Sequence, residues 1–258
     1  MEDMWADQPR QWLRSARKLL YLPASSDVGV LSTLTSSLLA LATHRIPSSS
    51  VDSVMISFPT LPGLYAEDIS DIAHYLALPL RGGNHGYPPR STVAAYAGYN
   101  MGLCTSYTDK EQCRKEGLDL PVRSVLFIEY TSVALLLHAT LMREASDLAE
   151  PDMDVSTHFF SLSETRDESV RGELVRDKVG ELLRRQFKRF PGPPEPPKVI
   201  TVLLVGGNDT VAVQEVIYSA IKDEGFEPDL HTLSKPGFVA ARGAAELAWR
   251  ALSLARNK

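Results

Sequence analysis

Apolar residues in the first part of the chain recur at helical spacing. Gln8 to Leu20, with Trp12, Leu13, Leu19 and Leu20, predicts a helix. Leu22-Pro23 ends it, because the residue before proline avoids helical geometry. Ser25, Ser26 and Asp27 are good caps for a second helix, Val28 to His44, whose broad apolar face holds Val30, Leu31, Leu34, Leu38, Leu39 and Leu41. Val51 to Phe58, β-branched and apolar before Pro59, reads as a buried strand. Pro62 and Gly63 then lead to a helix over Ala66 to Leu76, followed by a short strand at Leu78 to Leu80. Arg81 to Arg90 is rich in glycine and proline and predicts a loop. Ser91 to Leu103 reads as a helix of small residues able to pack closely.

After a polar stretch holding both cysteines the period changes. Val122 to Tyr130 and Val133 to Met142 are strand-like runs with almost nothing between them, which predicts a hairpin. Asp154 to Ser163 is a weaker third strand, and Glu168 to Phe190 a long charged helix. Pro191 to Pro197 is a stiff connector. Val199 to Val205 is apolar but for Thr201 and reads as a strand buried on both faces. A turn at Gly206-Gly207-Asn208-Asp209, a helix over Thr210 to Lys222, a strand over Pro228 to Thr232 and a helix over Phe238 to Ala255 complete a layered α/β pattern.

Composition narrows the function classes. The 258 residues carry a net charge of −5, which gives no reason to expect nucleic-acid binding. The acidic start, Met1-Glu2-Asp3-Met4-Trp5, is unlike a secretory signal, and no apolar stretch approaches the roughly 20 residues of a membrane span. A cytoplasmic protein without membrane contact is the expectation, and there Cys104 and Cys113 are expected to be free thiols. The six histidines show no metal spacing, and no metal site is expected. His85, within Gly82-Gly83-Asn84-His85-Gly86, is the one histidine in a setting that brings backbone near a ligand, although such loops are usually turns.

Several segments resemble the actin-like ATPase domain of DnaK-type heat-shock chaperones, in a divergent branch we associate with fungal proteins. Asp52 to Pro59 is similar to a strand of that domain that ends in proline, and Thr92 to Tyr99 to its alanine-rich connecting helix. Val205-Gly206-Gly207-Asn208-Asp209-Thr210 resembles the adenosine-binding turn, and Pro236 to Ala245 the start of the closing helix. The resemblance implies a helical extension over 1–26, a first lobe over 27–120 lacking its opening strands, and a complete ribonuclease-H-like second lobe over 121–258. It also implies an ATP or ADP site at Gly206, Gly207, Asn208, Asp209, Arg242 and Gly243. An isolated short lobe exposes a strand edge, so residues 1–26 or a partner chain are expected to cover Val51 to Phe58.

Family ATPases hold phosphate between two hairpins whose glycines let backbone N–H groups approach. Residues 1–26 contain no glycine, and at Ile128 to Val133 bulkier residues including Tyr130 and Val133 stand where glycines belong. Glu129 occupies the place of the aspartate and is the weak catalytic candidate. Phosphoryl transfer depends on positioning and charge neutralisation, so hydrolysis by the family mechanism is expected to be lost. The resulting expectation is a chaperone-like pseudo-ATPase that serves as a scaffold with a protein partner. The alternatives are an inter-lobe cleft reused by an enzyme, for example in fungal secondary metabolism, and an atypical ATPase using Glu129 and Asp209.

Overall fold

The computed structural model describes residues 7–45, 53–81, 87–145, 155–162, 167–187, 197–207, 210–232 and 235–256. His85, Asn208, Asp209 and most of the proline connector lie outside them. The elements in chain order are α1 (Gln8–Leu19), α2 (Ser26–Arg45), α3 (Ala66–Tyr75), α4 (Ser91–Gly98), α5 (Lys110–Asp119), β1 (Arg123–Tyr130) and β2 (Leu135–Met142). They continue with β3 (Val155–Phe159), α6 (Glu168–Phe187), β4 (Val199–Gly206), α7 (Thr210–Asp223), β5 (Glu227–His231) and α8 (Val239–Arg256).

The strands form one five-stranded sheet in the order β3-β2-β1-β4-β5. β2 runs antiparallel to β1 and to β3, while β1, β4 and β5 are mutually parallel. This order and polarity are those of a ribonuclease-H-like lobe, so the second half has the expected actin-like topology. Leu126, Ile128, Val202 and Leu204 face α6 and α7, where Val179, Leu183, Ile217 and Ile221 are fully buried. Val125, Phe127, Leu203 and Val205 face α4 and α8. Strand alternation thus sends each apolar run into two separate cores, as expected for a sheet covered on both sides.

α4 and α8 cross with their backbones in contact. A Cβ added at Gly243 would lie 1.7 Å from the Ala94 carbonyl oxygen, and one at Gly98 would lie 2.2 Å from that of Val239. Only glycine fits at either position. The first part of the chain is joined to the sheet largely through this crossing.

The first lobe departs from expectation. Val54 and Phe58 make only isolated parallel bridges, to Leu80 and Arg90, and the segment is extended chain rather than a strand of a sheet. Its pattern satisfies strand propensity, but the described chain supplies neighbouring backbone only at these points. A small core of Ala24, Val28, Phe58, Ile69 and Ile72 holds α2, α3 and this segment together. α1 docks against α3 through its charged face. Arg14, 3% exposed, donates to Asp68 Oδ1 at 2.6 Å and to Asp71 Oδ2 at 2.5 Å.

Three other expectations are corrected. Cys104 and Cys113 form a disulfide, with Cα atoms 5.2 Å apart, well within bridging range. The sequence argument weighed compartment alone. It did not foresee α5, whose cap at Asp109 accepts from Glu111 N and Gln112 N and turns Cys113 back over Cys104. In addition, α2 is long and apolar enough to cross a membrane by length and composition, although interspersed Ser, Thr and Gly hide this from a search for an unbroken apolar run. Finally, the small-residue helix stops at Gly98, before the expected Leu103.

Replacing Gly243 with alanine is expected to cost about 3 kcal/mol or more by forcing α4 and α8 apart, read as a lowered urea midpoint. Gly172→Ala in α6, where the new methyl would meet only Val216 Cγ2 at 3.6 Å, is the control and should be neutral or mildly stabilising.

Candidate functional site

In open α/β sheets ligands bind outside the carboxyl ends of parallel strands. Here that place is the end of β1 and β4, where Glu129 pairs with Val205 and Tyr130 with Gly206. Gly206 has φ +143°, and a Cβ there would lie 1.8 Å from the Tyr130 carbonyl oxygen. Gly207 N donates to that same oxygen at 3.2 Å, and among the described residues nothing lies within 4 Å of its own Cβ position. Gly237 comes up beside this turn, since its Cβ would be 2.9 Å from Gly206 O. The two glycine motifs singled out in the sequence are therefore brought together as a shelf of backbone, closely packed at Gly206 and Gly237 and clear of described neighbours at Gly207.

Arg242 lies on the first turn of α8, exposed, and donates to Asn100 Oδ1 at 3.4 Å. Gly243, one residue on, faces α4, and the crossing fills the space beside it. Beneath the shelf Tyr99 donates its hydroxyl to Leu204 O at 2.7 Å, and burial pushes its pKa up to about 12. It stays a neutral donor that pins α4 to β4.

Glu129 sits on the α4-facing side of β1, half-buried between Val205 and Leu136. Burial raises its pKa, and no described residue gives it a hydrogen bond or a cation. The turn after it is closed on itself. Thr131 N donates to Ala134 O at 2.9 Å, while Val133 N and Ala134 N donate to Thr131 Oγ1 at 3.4 and 3.0 Å. Tyr130 is buried at 4% exposure. In a phosphate hairpin such N–H groups point outward at the anion. Among the described residues, no group of three or more His, Cys, Asp or Glu is placed to hold a metal ion.

A polar cluster nearby escaped the sequence reading. His138, in the middle of β2, is 2% exposed and shares a 2.6 Å hydrogen bond with Thr92 Oγ1 at the start of α4. His158 Nε2 on β3 bonds Thr60 O at 2.5 Å, tying the extended first-lobe segment to the sheet edge. Burial first, then the charges of Arg90 and His158, lowers the His138 pKa to about 3. A histidine interrupting an apolar strand is the only signal the sequence offers for it. Closed off from solvent and held neutral, it acts as a polar clamp between α4 and the sheet.

No protein-family model matches the chain, and no curated protein does. Among solved structures it is similar to the ethanolamine utilization protein EutJ from Carboxydothermus hydrogenoformans, at 13% identity and a TM-score of 0.43, covering 85% of this chain and 74% of that one. It is also similar to the PilM-PilN type IV pilus biogenesis complex, at 12% identity and a TM-score of 0.38, covering 73% of this chain and 57% of that one.

Buried His138 and half-buried Glu129 give opposite pH dependences. His138 drops from an ordinary 6.5 to about 3 on folding, so its native form binds fewer protons in that window. Its contribution is full above pH 6.5 and is lost as pH falls toward 3. Glu129 is raised, so its contribution is present at low pH and is lost as pH rises through its folded value. Urea titrations should show His138→Gln flattening the acid-side slope and Glu129→Gln raising stability at neutral pH.

Proposed function

We propose that this chain is a non-hydrolysing interaction protein built on a chaperone-like, actin-type nucleotide fold. The observation that carries the reading is the β1–β2 turn, whose N–H groups at Thr131, Val133 and Ala134 are engaged within the turn instead of facing an anion. A transferring phosphoryl group needs donors and cations already in place, and Glu129 stands in a desolvated position without a described cation. The Gly206–Gly207 shelf beside Gly237 supports a retained adenine nucleotide site, because backbone at Gly207 is clear of described neighbours. Exposed apolar residues on the helical first part, among them Trp12, Leu19, Leu34 and Leu41, support binding to another protein.

Purified protein should show no magnesium-dependent ATP turnover above buffer, and Glu129→Ala should leave that baseline where it is. Turnover that Glu129→Ala abolishes would overturn the proposal in favour of an atypical ATPase. A thermal-shift assay with ATP, ADP and magnesium tests the shelf separately. Nucleotide at about 100 times its Kd should stabilise by about 2.7 kcal/mol, and Gly207→Trp should remove the shift. No shift with wild-type protein would strike nucleotide from the reading.

A further inference from the structure

α2 is the element whose surroundings least match its chemistry. It runs 20 residues, about 30 Å. Its valines and leucines are interspersed with small hydroxyl residues, and between its first and last turns it offers no charged face to water. Yet only one side is covered. Val28 and Ser32 are buried against the α3 side, while Val30, Leu34, Leu38 and Leu41 are 70%, 55%, 58% and 63% exposed. These four form one continuous stripe along the outer face, at spacings of four, four and three.

Charge tells what covers the stripe. Between Asp27 and Arg45 the helix holds no Asp, Glu, Lys or Arg. Asp27 lies in its first turn and Arg45 in its last, both exposed and neither in an ion pair within the chain among the described residues. They sit nine residues either side of Ser36, and Leu34 and Leu38 two residues either side. Val30 and Leu41 lie six and five residues from it. The surface is thus self-complementary under a two-fold axis through the middle of the helix. An antiparallel copy sets Leu34 against Leu38 of the second copy, and Asp27 against its Arg45 at both ends.

The same helix suits lipid poorly. Ser32, Thr33, Thr35, Ser36 and Ser37 crowd its centre, where a spanning helix meets the bilayer midplane. A dry protein interface tolerates the hydroxyls, because Thr33, Thr35 and Ser37 already donate to Gly29 O, Leu31 O and Thr33 O within the helix. These are small residues, and they allow two helices to approach closely.

We infer that α2 is an isologous homodimer interface, pairing antiparallel with α2 of a second copy through the Val30–Leu41 stripe and reciprocal Asp27–Arg45 ion pairs. This goes beyond the nucleotide site and holds whether or not that site binds anything.

Analytical ultracentrifugation of the full chain across a concentration series tests it. Wild type should reach a dimer. Leu34→Glu with Leu38→Glu should raise the dissociation constant at least roughly 30-fold, the scale of an interface hot spot, with unchanged circular dichroism since both side chains are solvent-facing in the monomer. Arg45→Asp alone should weaken the dimer by facing like charges, and adding Asp27→Arg should restore it, which a merely destabilised helix would not do. A wild-type monomer at all concentrations overturns the inference. So does a dimer indifferent to both sets of changes. Monomeric protein that floats with phosphatidylcholine vesicles, losing this with Leu34→Glu and Leu38→Glu, overturns it in favour of a membrane surface.

Discussion

The contact on which the rest depends is the crossing of α4 and α8 at Gly98 and Gly243. Two helices whose backbones touch act as one rigid wedge, and side chains elsewhere along them then pack in a fixed register. Tyr96, Val93 and Val239 fill the core against Val125, Phe127 and Leu203 from this wedge. Because α4 closes the first lobe and α8 the second, the same contact sets how the helical front of the chain meets the sheet. Tyr99 and Thr92 reinforce it with hydrogen bonds to Leu204 O and His138. The wedge also explains why Arg242 faces outward while its neighbour Gly243 faces inward: consecutive helical residues are about a quarter-turn apart.

That frame leaves a site with one half open and one half closed. At the end of β4, Gly207 is clear of other described residues, next to Gly206 and Gly237, which pack closely on neighbouring backbone. At the end of β1, a few ångströms along the same sheet, Thr131 folds the turn onto itself and Tyr130 is buried. The asymmetry has a chemical meaning. Recognition of a base or ribose can rest on shape and a few backbone contacts, but phosphoryl transfer requires several donors and cations converging on one atom. A fold can lose the second requirement and keep the first without disturbing its core.

The second lobe was legible in the sequence because its signals are local and redundant. Val199 to Val205 carries apolar residues on both faces, the two hairpin runs are strand-like with almost nothing between them, and glycines mark the turn after β4. The first lobe was not. Val51 to Phe58 has strand propensity, but a strand is made by its neighbours, and the described segment meets them only at Val54 and Phe58. The disulfide was missed because cysteine pairing depends on where a short capped helix turns, which compartment reasoning does not address. His138 gave no functional signal in the sequence, since its Thr92 partner lies 46 positions away. Of the site, the glycine shelf was readable from spacing, whereas the closure of the β1–β2 turn could be inferred only as a loss of glycine. Its mechanism, a threonine hydroxyl capping two backbone donors, needed the geometry.

The N-terminal helices show why hydrophobic periodicity misleads at this end of the chain. α1 would be expected to turn Trp12, Leu13, Leu19 and Leu20 inward, yet they are 74%, 63%, 81% and 69% exposed while Arg14 is buried. The inversion follows from what α3 offers. Asp68 and Asp71 face α1, and Lys18 adds a second cation beside Arg14, at 2.9 Å from Asp71 Oδ1. A buried arrangement of this kind is a weak source of net stability, since desolvation offsets much of the attraction, but removing any one partner leaves an uncompensated charge. It therefore specifies position more than it drives folding. With α1 fixed by charge and α2 held along one side only, the first lobe turns apolar surface outward by construction, and its polar contacts decide which surface that is.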